Sequence, residues 1–273
     1  MRLGIVTIPR QPTTGTVLTQ QVIALAQAVE RFGFHGLWVT DAFARGRATL
    51  DPLILLGLLA GHTSHIELGT CVVQVPLRHP VEHAHRVQTL NLLSGGRLRF
   101  GVGTGSTQAD FDAVQADYGS RFKTLPAYLE VMRRTWLGEG VYGNPITLWS
   151  GTEGGPPVLL GAWRSERWIN LCAKTLQGWI ASGIHTKWED LEIGLKMYRD
   201  AGGTRAVLAN IFTDLRPNPV PPPLPHPLNI SLLCPPDEAR ARLRRLADLG
   251  VDDALLVVPD DDPDQLETIR GLI

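Results

Sequence analysis

The chain has 273 residues and balances 26 Lys plus Arg against 27 Asp plus Glu, so it has no basic field with which to recruit nucleic acid. Its hydrophobic residues, 44% of the total, are spread too evenly for a membrane span and suffice for one large core. The three cysteines, Cys71, Cys172 and Cys234, are far apart and form no CxxC pair, which points to reduced thiols in a cytoplasmic protein rather than a disulfide framework or a zinc site.

The opening MRLGIVTIPR lacks the apolar stretch and cleavage site of a secretory signal and reads as a first strand, Leu3 to Ile8. Val22, Leu25, Ala26 and Val29 place a helix over Gln20 to Phe32. Gly36 to Thr40 is a second strand, followed by the loop Asp41-Ala42-Phe43. Asp51-Pro52 then opens a helix over Leu53 to Ala60. From Ile66 to Gly105 the chain reads strand, loop, helix, strand. Thr70 to Val73 ends the third strand, Val81 to Leu93 has one apolar helical face, and Ser94-Gly95-Gly96 stops it. Leu98 to Val102 then runs into Gly103-Thr104-Gly105. A strand, a crossover helix and a strand in so short a span form a βαβ unit with parallel, neighbouring strands.

The alternation continues. Ala109 to Asp117 reads as a loop with a helical turn, Thr124 to Trp136 as a helix, and 138–156 as a Gly- and Pro-rich excursion. Strands follow at Pro157 to Gly161, Gly178 to Ser182, Ala206 to Phe212 and Asp253 to Val258. The helices between and after them are Ser165 (as N-cap) to Thr175, Trp188 to Ala201, Pro235 to Leu249 and Pro263 to Ile273. The segment 216–227, RPNPVPPPLPHP, must be extended and semi-rigid. Eight βα units with no composition break, at a length close to the roughly 250 residues typical of such barrels, predict one α/β domain over 1–273: a (β/α)8 TIM barrel with excursions at its C-terminal face. Ligands of parallel α/β folds bind at that face.

The motifs GLWVTD, ELGTCVVQVPLRHP and LSGGRLRFGVGTG, with Arg121-Phe122 ahead of the fourth long helix, resemble the bacterial-luciferase-like family of flavin-dependent oxidoreductases, which are TIM barrels. The resemblance implies a bulge after the third strand with a non-prolyl cis peptide at Cys71–Val72 that supports the flavin ring. It also implies that Thr104, Arg121 and the helix start at Ser165 hold the flavin phosphate. Helix N-termini and arginine suit that task independently. The cofactor-facing set is Thr40, Thr70, Cys71, Val72, Gly103, Thr104, Gly105, Arg121, Trp163 and Ser165.

Two departures bear on mechanism. Many relatives carry a histidine where this chain has Ala42, and deazaflavin-dependent sugar-phosphate dehydrogenases of the family carry a glutamate where it has Ser106. Asp41 and His185 are the titratable groups best placed to replace them. His79, His83 and His85 have no carboxylate at a zinc-site spacing. Trp38 and Trp163 stand at strand ends, where they can flank a planar ligand or pack in the core.

The expected activity is that of an FMN-dependent monooxygenase acting on a small organic substrate. Reduced flavin would come from a separate reductase, since no GxGxxG follows a strand. Hydride transfer with coenzyme F-420 is the alternative enzyme reading, and a non-catalytic flavin-binding barrel, suggested by Ala42, is the alternative of another class. The resemblance also implies a homodimer through helices near the second and third strands. Substrate choice is expected to lie in the 138–156 and 216–227 loops.

Overall fold

In β1 (Arg2–Thr7) the five residues from Leu3 to Thr7 are all buried, as in a parallel strand covered by helices outside and a filled lumen inside. The computed structural model describes residues 1–9, 15–46, 48–144, 146–163, 165–224, 227–258 and 263–272. Residues 225–226 of the proline-dense loop and Ile273 therefore lie outside the described residues.

After β1 come α1 (Gly15–Arg31), β2 (Gly36–Val39), α2 (Pro52–Ala60), β3 (Glu67–Thr70), β4 (Val73–Gln74), α3 (Pro80–Leu93), β5 (Leu98–Gly103), α4 (Gln108–Ala113) and α5 (Arg121–Trp136). The second half comprises β6 (Val158–Gly161), α6 (Glu166–Thr175), β7 (Gly178–Ser182), α7 (Trp188–Asp200), β8 (Ala206–Asp214), β9 (Leu232–Leu233), α8 (Pro236–Asp248), β10 (Asp253–Val257) and α9 (Pro263–Arg270). Strands β1, β2, β3, β5, β6, β7, β8 and β10 are parallel neighbours in that order, and β10 pairs with both β8 and β1. The sheet closes into an eight-stranded barrel, as the alternation predicts.

The core has two layers. Val6, Leu159, Ile180, Val207 and Leu255 fill the lumen with Trp38, which is 1% exposed, so this tryptophan belongs to the barrel interior and not to its mouth. The other layer lies between strands and helices. At the N-terminal end of the barrel, Arg205 reaches Glu67 at 2.6 Å and Asp253 at 2.8 Å, Arg99 reaches Glu67 at 2.6 Å, and Arg2 reaches Asp253 at 2.6 Å. Burial opposes ionisation of Glu67, yet His35 at 3.4 Å and the guanidinium groups of Arg205 and Arg99 hold its carboxyl well below the usual carboxylate range.

The observed elements differ from the expected ones in places. The third strand is interrupted at Cys71–Val72, and only its short continuation β4 pairs with the upper part of β5. Residues expected to form a loop fold as α4, and α5 begins one turn early because the Ser120 carbonyl accepts from Lys123 and Thr124. β8 runs on to Asp214, where it pairs with β9, a strand too short to leave a periodic signal. The described residues of the 138–156 segment pack on the side of the barrel, with Gly154 N donating to the Trp136 carbonyl and Gln88 to that of Thr152. On α2, Ile54 is 73% exposed and Leu58 also faces outward. No helix among the described residues is long and apolar enough to cross a membrane, and all three cysteines are unpaired and buried.

Candidate active site

The strand ends open into a cleft at the C-terminal face, part of a depression of about 2680 Å3 that also runs along α1. Its wall after β3 is the Cys71–Val72 peptide, which is cis as the resemblance implies. The Val72 side chain lies between the ends of β5 and β6, and it fits only because both end in glycine. A Cβ on Gly103 would stand 2.7 Å from one Val72 methyl, and a Cβ on Gly161 would stand 3.0 Å from the other. Desolvation pushes the Cys71 thiol up to about 12, so this residue contributes an uncharged wall and no thiolate. Thr40, Thr104 and Gly105 also line the cleft. Thr70 does not: it is fully buried in the sheet, and its hydroxyl donates to the Gly101 carbonyl at 2.7 Å.

Two carboxylates brace the loop after β2. Asp41 accepts from both terminal nitrogens of Arg78 at 2.7 and 2.8 Å and from Gln74 N at 2.9 Å. Asp110, fully buried on α4, accepts from Ala44 N, Arg45 Nε and Gln74 Nε2, each at 2.9 Å. Burial would raise the pKa of Asp110, but these hydrogen bonds and the Arg45 charge hold it low. Asp41 thus stands at the mouth, where the sequence places it, with its oxygens bound to the loop it holds.

A third carboxylate secures the opposite rim. Asp214 at the end of β8 is fully buried and accepts from Arg216 Nη2 at 2.7 Å and from Val220 N at 3.3 Å. The Arg216 hydrogen bonds hold its pKa at about 2. From this anchor the proline-dense segment passes along the cleft, which Val220 to Leu224 line. Of the two loops expected to choose the substrate, this one borders the site, and 138–156 packs away from it.

The cationic end lies between α5 and α6. Arg121 donates one terminal nitrogen to the Tyr118 carbonyl at 2.7 Å and stacks over the Tyr118 and Phe122 rings at 3.7 and 4.2 Å. Among the described residues its buried Nε has no hydrogen-bond partner. Phe122 lies 6.5 Å, ring to ring, from Trp168 in the first turn of α6, which brings the start of that helix beside Arg121. Ser165 occupies the expected N-cap position with extended backbone, but its hydroxyl makes no capping hydrogen bond. An orphaned guanidinium nitrogen next to an uncapped helix start is suited to a phosphate. Nearby, Trp163 is half exposed and stacks on His185 with ring centroids 4.3 Å apart. Among the described residues no three metal-ligating side chains converge.

Sequence reasoning missed three features of this site. The Asp41–Arg78 and Asp110–Arg45 pairs join residues too distant in the chain for any spacing rule. Gly161 reads as a strand terminus until Val72 is seen against it. Asn210, with φ +58 in the middle of β8, is the third; asparagine's tolerance of that conformation was the available hint.

Known proteins share this sequence pattern and this fold. A family model described as luciferase-like monooxygenase matches residues 1–210. An uncharacterised protein of Mycobacterium tuberculosis is 30% identical over 224 residues, covering 78% of this chain and 71% of that one. A putative coenzyme F420-dependent oxidoreductase of the same organism is 28% identical, covering 61% and 54%. Among solved structures, the oxygenating component of a type II Baeyer-Villiger monooxygenase from Pseudomonas putida, in complex with FMN, superposes with a TM-score of 0.79 at 16% identity, covering 99% of this chain and 96% of that one.

Proposed function

The chain belongs to the luciferase-like monooxygenase family, and from that premise we propose that it is an FMN-dependent monooxygenase of a small organic substrate. The observation that carries this reading is the pairing of an apolar cleft floor with a cationic end, where Arg121 Nε lacks a partner among the described residues beside the uncapped start of α6. In this reading the phosphate rests on Arg121, the first N–H groups of α6 and Thr104, and the flavin ring lies on Val72. Gly103 and Gly161 provide the room. Reduced FMN, when bound, supplies two electrons to O₂, one oxygen atom passing to the substrate and the other to water.

The protein's own task is to exclude water and to orient the ring. Ile180, Phe212 and Val257 keep the floor dry, and Asp41 positions the β2 loop through Arg78. We assign proton transfer to His185, held at the rim against Trp163. Alcohol oxidation by hydride transfer needs a base beside the ring, and Ala42 and Ser106 stand where relatives of that chemistry carry one. The anionic tail of coenzyme F420 also calls for uncommitted cations, whereas Arg45, Arg78 and Arg216 at the mouth are each paired with their own carboxylate. Two partners complete the proposal: a separate flavin reductase, and a second copy of this chain over the exposed face of α2.

The test is to mix the protein anaerobically with reduced FMN or reduced F420 and then admit oxygen. Tighter binding of FMN, with O₂ consumed in its presence, supports the proposal. Binding of F420 alone, or of neither, contradicts it.

A further inference from the structure

Across the mouth from Val72 lies a wall that the cofactor reading leaves unused. In ring order β8 stands four places from β3, so the two strand ends face each other. β8 also carries one residue more than its partner: Leu208 pairs with Ala254 and Ile211 with Leu256, a span of three residues against two. The extra residue is Asn210, held at φ +58, where asparagine is at home and most side chains are not. Such a bulge redirects side chains, and bulges recur beside active sites.

The neighbours of Asn210 show where it faces. Val207 and Ala209 belong to the lumen core, Leu208 and Ile211 to the outer layer, and Phe212 packs inward again. Insertion of one residue after Ala209 therefore leaves Asn210 on the mouth side, where it lines the cleft. The local frame is tight, because Gly183 N donates to the Ala209 carbonyl and Ile230 N to the Gly183 carbonyl, both at 2.8 Å. Asn210 is half-buried, and among the described residues nothing hydrogen-bonds its carboxamide. Ile184, Phe212 and Leu233 make much of the surrounding wall apolar, Ser182, His185 and Thr213 are its other polar residues, and Arg216 is paired with Asp214.

We infer that Asn210 is the substrate-orienting residue, its carboxamide hydrogen-bonding an uncharged carbonyl oxygen on an otherwise apolar molecule. A carboxylate would be desolvated there beside a neutral amide, which disfavours anionic substrates. The inference rests on the flavin reading for the reaction, but the recognition itself belongs to the cleft and can be tested with or without cofactor.

Asn210→Gly removes the carboxamide and keeps a backbone that accepts the left-handed conformation. Matched probes differing only in C=O against C=CH₂, cyclohexanone with methylenecyclohexane and acetophenone with α-methylstyrene, are titrated by ligand-observed NMR in the presence and absence of FMN. The wild type should favour each ketone over its alkene, and Asn210→Gly should weaken the ketones about tenfold while leaving the alkenes unchanged. Asn210→Asp, which keeps shape and φ but removes the donor, should lose the same preference, so the result does not hinge on one variant's folding. Equal weakening of ketone and alkene, no weakening, or no ketone preference in the wild type overturns the inference. FMN binding is read separately by quenching of flavin fluorescence: its failure with a retained ketone preference removes the flavin reading alone.

Discussion

The two ends of the barrel are built from the same parallel strands and treat charge in opposite ways. At the N-terminal end Glu67 and Asp253 are surrounded by Arg205, Arg99 and Arg2, and each carboxylate is matched. At the C-terminal end the matched pairs, Asp41–Arg78, Asp110–Arg45 and Asp214–Arg216, brace the rim, while among the described residues Arg121 Nε and the Asn210 carboxamide have no partner. In the proposed reading, the charge at the closed end is paired within the chain, and the polar groups facing the cleft are left for the ligand to satisfy.

The contrast is broken most severely at Arg205. Arg205→Met leaves two buried carboxylates short of a partner and should cost about 3–5 kcal/mol, a fall in thermal midpoint of roughly 10 °C. FMN affinity of the folded fraction should not change, as calorimetry paired with fluorescence titration would show. The loss should be largest near neutral pH. The Glu67 carboxyl ionises more readily when folded, so its stabilisation is present above the unfolded carboxylate range and disappears as pH falls through and below it.

Arg121→Ala reverses the pattern. It removes one hydrogen bond to the Tyr118 carbonyl and the stacking on Tyr118 and Phe122, a loss of about 1–2 kcal/mol that should lower the thermal midpoint by far less than Arg205→Met does, while the Kd for FMN should rise by about ten- to a hundredfold. Equal loss of stability and affinity would mean that Arg121 is a structural residue.

The smallest effect sharpens the rule by placing an unpaired polar group where no ligand reaches. His83 on α3 is 1% exposed, packs on Phe100, and has no partner among the described residues for either ring nitrogen. Burial first, then the charges of Arg78 and Arg86, push its pKa down to about 3. His83→Leu should therefore raise stability by about 1 kcal/mol. The sign of the acid response follows: unfolded histidine titrates near 6.5, so the unfolded chain takes up this proton first, and wild-type stability declines as pH drops from about 6.5 towards 3. Urea titrations of both proteins across that range should show the component missing from the variant.

The barrel was legible in the sequence because strands buried on both faces read as unbroken apolar runs, and Gly178 to Ser182 was placed without error. The positions of Gly103-Thr104-Gly105 at a strand end and of Arg121 at a helix start were legible for a similar reason. Features that depend on register or distant pairing were not. The bulge at Asn210 exists only relative to β10, and the two braces on the β2 loop join segments whose proximity the closed barrel creates. The Gly- and Pro-rich composition of 138–156 correctly announces a loop, but composition carries no address, and the segment lies against α3 and α5. Thr70 shows the converse error: it sits at a strand end in the sequence, yet its hydroxyl serves the neighbouring strand.

The most direct test of the account is a crystal structure of the protein soaked with FMN. The phosphate should lie within hydrogen-bond distance of Arg121 and the first turn of α6, with the flavin ring against Val72 and its opposite face turned towards Asn210. A phosphate bound elsewhere, or a cleft that stays empty at saturating FMN, would contradict it.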